Sequence, residues 1–281
     1  MKQSVNKTMD RNDLLDRSAQ STVEDINRVM QEIYRKGMVM TSWYGTLEKP
    51  YSEVGLDNRG ADYQPLPGAV DDNRIPWFLY WEIEWVIRNG PELGKGMKVL
   101  DAGGTSSLFS CYLASLGLEV HSIDINPSLL QNSNDISRAM GWKLRAYAMD
   151  IEKMEFEDMF FDHAFSISVF EHLDYYTKQK ALLDIHRCLK PGGRLCMTFD
   201  YANPAPFVFG CNRFDTRPRN ALGSPEQVKK VLCPAGLFEM LGNRDFMDNG
   251  KRYLEPPRDA SLENPQEYTF GALFTKKKEL F

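Results

Sequence analysis

Cysteine and histidine are scarce in this chain, five and four residues respectively, and their spacing excludes more than their number does. Cys111, Cys188, Cys196, Cys211 and Cys233 are odd in count and contain no C-x-x-C pair. That argues against a disulfide framework and against a thiolate zinc site, and leaves reduced thiols in a cytoplasmic protein. His121, His163, His172 and His186 form no H-E-x-x-H motif, so a zinc protease is excluded and no metal is expected. No stretch approaches the roughly 20 apolar residues of a membrane-spanning helix. The start, MKQSVNKTMDRNDLLDRS, is polar and lacks a secretory apolar core, so no membrane partner is expected. Excess basic charge is missing too. Lys and Arg total 34 against 39 Asp and Glu, a net charge of −5, which disfavours bulk nucleic acid as a partner. There is no internal repeat and no low-complexity block.

What is present is ordinary globular material: 281 residues, 42% hydrophobic, 12% aromatic and 26% charged. That is enough for one sizeable domain with an insertion or arm, or for two small ones. Val23, Ile26, Val29, Met30 and Ile33 recur at helical spacing and give one apolar stripe. Residues 41–75 are broken by Gly45, Pro50, Gly55, Gly60, Pro65, Pro67 and Gly68, too often for long elements. A helix from Trp77 to Arg88 is closed by Asn89-Gly90-Pro91. The division expected is a helical, loop-rich N-terminal extension over 1–90, serving as a lid or substrate-selecting segment, followed by a domain over 91–281.

From Met97 onward strands and helices alternate. Strands are expected at 97–101, 119–124, 143–150, 162–170 and 194–199, and helices at 106–116, 127–140 and 177–189. This spacing indicates βαβ units around a parallel sheet. Beyond it, Ser224-Pro225-Glu226 reads as an N-cap with Pro in the first turn of a helix over 227–232. Residues 237–246 and 268–275 are strand candidates, with a loop-like stretch over 248–265.

Three acids close three successive expected strands: Asp101, Asp124 and Asp150. In open α/β sheets ligands bind outside the carboxyl ends of the strands. Any one Asp there is ordinarily a helix cap, but three in register favour a nucleoside site. Asp124 lies 21 residues beyond Gly103, the separation at which a carboxylate meets ribose hydroxyls. In the first turn Gly103 and Gly104 allow close backbone approach. Thr105 and Leu108 stand where a dinucleotide fingerprint needs glycine, which makes a nicotinamide dehydrogenase less favoured.

The segments VLDAGGTSS (99–107), SIDIN (122–126), AMDI (148–151), FDHAFSISVFEHL (161–173) and LKPGGRLCMTF (189–199), in that order, resemble the class I S-adenosylmethionine-dependent methyltransferases. The likeness is greatest to the small-molecule branch with EHL after the fourth strand and LKPGG before the fifth. It spans roughly residues 97–200 with a compatible tail to 275, and departs from the family in Thr105 and Ser107, where further glycines are usual.

The resemblance implies an α/β, Rossmann-like, seven-stranded sheet in the order 3-2-1-4-5-7-6 with strand 7 antiparallel. It implies S-adenosylmethionine as cofactor and S-adenosylhomocysteine as product. Asp101 and Gly103 would line the methionine portion, Gly104 and Thr105 would also bind the cofactor, and Asp124 would bind the ribose with Ile125 beside the adenine. Asp150 would reach the adenine amino group with Ile151 packing on the ring, and Ser168 would lie near the methionine end. The expected reaction is in-line methyl transfer to a small or medium-sized acceptor, with O- or N-methylation favoured. A hydroxyl acceptor needs a base, and Glu171 and His172 stand beside the expected reaction centre. His172 is the preferred base because its pKa lies near working pH, with Asp200 and Tyr201 as rivals.

Specificity is expected from aromatic residues of the extension (Trp43, Tyr44, Trp77, Phe78, Tyr80, Trp81), from 201–223 and from 248–265. Arg213, Arg217 and Arg219 read equally as an anion site or as solvated surface. The competing readings are a methyltransferase-like subunit without catalysis, C-methyl transfer of the cyclopropane-synthase kind, and an NAD-dependent oxidoreductase.

Overall fold

The computed structural model describes residues 4–38, 40–42, 45–46, 77–104, 108–125, 127–201, 222–255 and 266–279. The strands are β1 (Lys7–Thr8), β2 (Thr41–Ser42), β3 (Gly45–Thr46), β4 (Lys98–Ala102), β5 (Glu119–Asp124), β6 (Leu144–Ala148), β7 (Phe161–Ile167), β8 (Leu189–Asp200), β9 (Phe238–Met240), β10 (Tyr253–Glu255), β11 (Gln266–Tyr268) and β12 (Phe270–Lys277). The helices are α1 (Arg17–Arg35), α2 (Trp77–Asn89), α3 (Leu108–Ser115), α4 (Pro127–Met140), α5 (Tyr175–Cys188) and α6 (Pro225–Leu232).

The main sheet runs β6-β5-β4-β7-β8-β12, with both β9 and β1 paired to β12. Strands β4 to β8 are parallel, and β12 is antiparallel to β8 over Phe270–Lys276. Counted from β4, this is the expected seven-strand order. The strand outside it is β1, whose Lys7 and Thr8 face Ala272 and Gly271 of β12.

Successive residues of each strand point to opposite faces, and two cores result. Val99, Val120, Phe165, Cys196 and Phe274 join Trp81 of α2, Phe109 of α3 and the α1 stripe Val23, Ile26, Val29, Met30 and Ile33. Their neighbours Leu100, Ala164, Leu195, Met197 and Leu273 pack on the other side with Leu182 and Ile185 of α5 and Val228 and Leu232 of α6. Asp16 caps α1 by accepting the Ser18 N–H (2.8 Å), and Ser224 caps α6, which has Pro in its first turn. Both caps satisfy amide groups that a helix start leaves open.

Two expected strands are shorter than their apolar runs. The run over 237–246 is extended only from Phe238 to Met240. Gly242 turns away with φ +74°, where a Cβ would overlap the Ser4 carbonyl. The sheet edge beyond it belongs to the N-terminal segment: Thr8 donates to the Met247 carbonyl (2.9 Å) and Met247 to that of Asn6 (3.0 Å). The run over 268–275 divides at Thr269 into β11 and β12. The third strand ends at Ala148, two residues before Asp150. Residues 43–44, 47–76, 105–107 and 202–221 lie outside the described residues, and with them Trp43, Tyr44, Thr105, Ser107, Arg213, Arg217 and Arg219. Among the described residues no helix is long and apolar enough to cross a membrane.

Candidate active site

The carboxyl ends of the parallel strands gather most of the residues singled out by sequence. Asp101 sits in β4, fully buried, with Oδ2 accepting the Ser110 hydroxyl of α3 at 2.5 Å. That hydroxyl also lies 3.3 Å from the carbonyl of Gly104, so the strand, the turn and the next helix meet at one oxygen. Gly103 has φ +82°, and its N–H donates to Ile123 of β5 at 2.9 Å. A Cβ on Gly103 would stand 2.5 Å from Cγ2 of Val169, and a Cβ on Gly104 would overlap the Asp101 carboxylate. Gly103 and Gly104 are therefore glycine by necessity, because the Val169 and Asp101 side chains occupy the space a Cβ would need. Thr105 lies outside the described residues.

Asp124 ends β5 and is buried, opposite Ala148 in the register of β5 with β6. Ile125, next in the chain, is 74% exposed, whereas Ile151 is buried. Asp150 is exposed, and its carboxylate accepts the Glu152 N–H at 2.9 Å. It thus performs the local turn-capping role that an isolated Asp ordinarily has.

Past the end of β7, Ser168 takes φ +51°, a left-handed backbone uncommon for a residue with a side chain. Its N–H donates to the Thr198 carbonyl of β8 (3.2 Å), and its hydroxyl donates to Oε1 of Glu82. Thr198 donates its own hydroxyl to the same Glu82 oxygen at 2.7 Å. Glu82 belongs to α2 and is fully buried, and burial pushes its carboxyl up to about 7. Glu84, two residues on and so on another side of the helix, has a counter-ion in Arg88 at 2.6 Å.

Phe170–His172 forms a short 3-10 turn. Glu171 is buried within it, and burial, reinforced by the charges of Asp200 and Glu82, holds its carboxyl well above the usual carboxylate range. Its Oε2 has no hydrogen-bond partner among the described residues. His172 is 27% exposed in its side chain, with Nε2 4.0 Å from Glu171 Oε1. Asp200 and Tyr201, at the end of β8, are buried.

Two groups of side chains therefore share one rim. Asp101, Gly103, Gly104 and Asp124 line the ends of β4 and β5. Glu82, Ser168, Glu171, Thr198 and Asp200 line the ends of β7 and β8. Sequence reasoning passed over Glu82 and Thr198. The signal for the former was a glutamate inside the apolar, aromatic helix WFLYWEIEWVIRN, where a charge survives only with a dedicated environment. No group of three or more His, Cys, Asp or Glu arranged to hold a metal occurs among the described residues.

Comparison with known proteins bears on the same stretch. A family model described as "Methyltransferase domain" matches residues 100–197. The ubiquinone/menaquinone biosynthesis C-methyltransferase UbiE of Bordetella parapertussis is 37% identical over 184 residues, 63% of this chain and 67% of its own. The UbiE of Bordetella avium is 40% identical over 106 residues, 36% of this chain and 40% of its own. The matched span thus ranges from less than half to two thirds of these relatives. Among solved structures, the YcgJ protein of Bacillus subtilis superposes with a TM-score of 0.53 at 15% identity, over 72% of this chain and all (100%) of its own, a likeness of fold.

Proposed function

Because the chain belongs to the class I S-adenosylmethionine-dependent methyltransferases, whose methyl donor is S-adenosylmethionine, we propose that it transfers that methyl group to a carbon atom of a small acceptor. The sequence alone favours O- or N-methylation. The bond type is carried over instead from the curated relatives, whose names specify C-methyl transfer. Their substrate is not carried over, since the matches leave a third or more of this chain outside them.

The residues present fit the cofactor. The carrying observation is the pairing of a glycine pair after β4, with Gly103 at positive φ, and a buried acid, Asp124, ending the adjacent strand β5. On this reading Asp124 accepts the ribose hydroxyls, with Ile125 and Ile151 beside the adenine. Asp150 lies at the adenine edge. Asp101 and Gly103 take the methionine portion, Gly104 also faces the cofactor, and Ser168 stands near the methionine end. When bound, the cofactor supplies a methyl group already activated on a sulfonium, so the protein's tasks are alignment and exclusion of water.

Calorimetry with S-adenosylhomocysteine tests the cofactor half. Asp124→Ala is expected to weaken binding tenfold or more, about 1.4 kcal/mol, the loss of one charge-assisted hydrogen-bond set. Equal affinity in the variant refutes the ribose assignment. Transfer from a ¹³C-methyl donor, read by NMR of the product, distinguishes a carbon-bound methyl from an O- or N-methyl group.

A further inference from the structure

Glu82 from α2 and Asp200 from the end of β8 both act by charge on Glu171, in the turn after β7. The positive groups that pair carboxylates elsewhere in the molecule, as Arg88 pairs Glu84, are replaced around Glu82 by two neutral hydroxyls, Ser168 and Thr198, both directed at Oε1. The Glu171 side chain is only 6% exposed, and its Oε2 has no partner among the described residues. A buried acceptor left in that state costs on the order of 1–3 kcal/mol, which the fold retains only for a ligand or at a loss.

We propose that Glu82 and Glu171 form the acceptor's polar anchor: they grip a hydroxyl conjugated with the carbon to be methylated, as in a phenol or an enol, with Glu82 receiving its proton and Glu171 donating to the resulting oxyanion through Oε2–H. This rests on the C-methylation reading above. It deepens that reading, because an oxygen that lends electrons makes the carbon conjugated with it a nucleophile.

The step balances. The O–H proton passes to Glu82, and the oxygen's electron pair flows into the ring or enol. The carbon takes the methyl group while the S–C electron pair goes to sulfur, leaving a neutral thioether. The methylated carbon then loses its proton to solvent, and Glu82 returns the first proton to oxygen. One proton is released overall.

The division of labour follows from surroundings. Asp200 and His172 are the other titratable groups at the pair among the described residues: burial, and after it the charge of Asp200, keeps Glu171 protonated, and His172 stands at Oε1, away from Oε2. Glu82, held by hydroxyls, titrates near neutrality and can serve as the base. The anchor lies at the ends of β7 and β8, on the side of β4 away from Asp124, so it does not compete with the nucleoside for room.

The test uses the full chain saturated with S-adenosylhomocysteine and two probes of nearly equal shape, 4-nitrophenol and its methyl ether 4-nitroanisole. Wild type is expected to bind the phenol at least tenfold more tightly. Glu82→Gln places an amide N–H where the hydroxyl needs an acceptor, so this preference should fall to within about twofold while cofactor affinity stays unchanged. In turnover with a phenolic acceptor, kcat/KM should rise with pH near neutrality in wild type and lose that limb in the variant. Equal affinity of wild type for both probes, or a preference that survives Glu82→Gln, overturns the anchor and leaves the methyltransferase reading standing. Failure to bind S-adenosylhomocysteine overturns the reading itself.

Discussion

Gly103→Ala should be one of the most damaging single-methyl additions in the protein, and its cost has two separable parts. At φ +82° an L-side chain pays on the order of 1–2 kcal/mol for the left-handed backbone. The new Cβ also stands 2.5 and 2.7 Å from the two Cγ atoms of Val169, an overpacking cost of about 1–3 kcal/mol. Together they suggest about 3 kcal/mol, which for a chain of this size lowers Tm by roughly 6–12 °C. The parts separate in a double-mutant cycle with Val169→Ala, because truncating a half-buried valine removes the clash and leaves φ untouched. The double variant should be more stable than the sum of the singles by about 1–2 kcal/mol, measured by urea unfolding with m unchanged. Strict additivity would refute the steric argument, and so would a Gly103→Ala protein as stable as wild type. Cofactor affinity should follow the same cycle, since the turn is where the proposed ligand meets backbone.

Asn6→Ala should cost about 3 kcal/mol. The buried amide donates to the carbonyls of Leu241 (2.7 Å) and Asn243 (3.0 Å) and accepts from the Phe274 N–H (2.7 Å), and each orphaned partner carries a penalty of order 1 kcal/mol. The check is a lowered urea midpoint at constant m, and a loss under 1 kcal/mol would show that water replaces the amide. Glu82→Gln should stabilise the protein at neutral and alkaline pH but not in acid. Burial raises this carboxyl to about 7 from an ordinary 4.5, so between those values the unfolded chain has released a proton that the folded chain still holds. Wild-type stability therefore falls as pH rises through that window. The gap to the variant should open across it and be absent below pH 4.5, in paired urea titrations; a gap that is constant with pH would contradict the burial account.

The central elements were readable because each local signal agrees with its tertiary role. The strand over 119–124 and the helix over 127–140 were expected to the residue. Gly117 and Gly141, both at positive φ, end the helices before them. Where reading failed, a distant partner decided the outcome. Lys7–Thr8 carries no strand signal of its own and is extended because β12 offers an open edge. The run over 237–246 has strand signal throughout yet stops at Met240, because the Ser4–Thr8 segment already occupies the next stretch. Neither fact is encoded within a window of neighbouring residues.

The site divides along the same line. Asp101, Gly103 and Asp124 come to one rim as their spacing implies, because β4 and β5 follow one another in the chain and lie side by side, so spacing in sequence translates directly into distance in space. Asp150 shares the pattern, and its exposed carboxylate accepts the Glu152 N–H of its own turn. Glu82 was not legible, since its hydroxyl donors lie 86 and 116 residues away and only the packing of α2 against β8 and β12 joins them. Adjacent strands are about 4.8 Å apart, and the order β5-β4-β7-β8 sets the proposed nucleoside end and the proposed acceptor end at opposite limits of a ruler three steps long. The proposed nucleoside end is written in consecutive strand–helix units. The proposed acceptor end is closed by α2, which lies outside the β4–β5 turn and Asp124. On the proposed reading, selectivity among acceptors changes at Glu82 and its neighbours on α2 without changing the methyl donor.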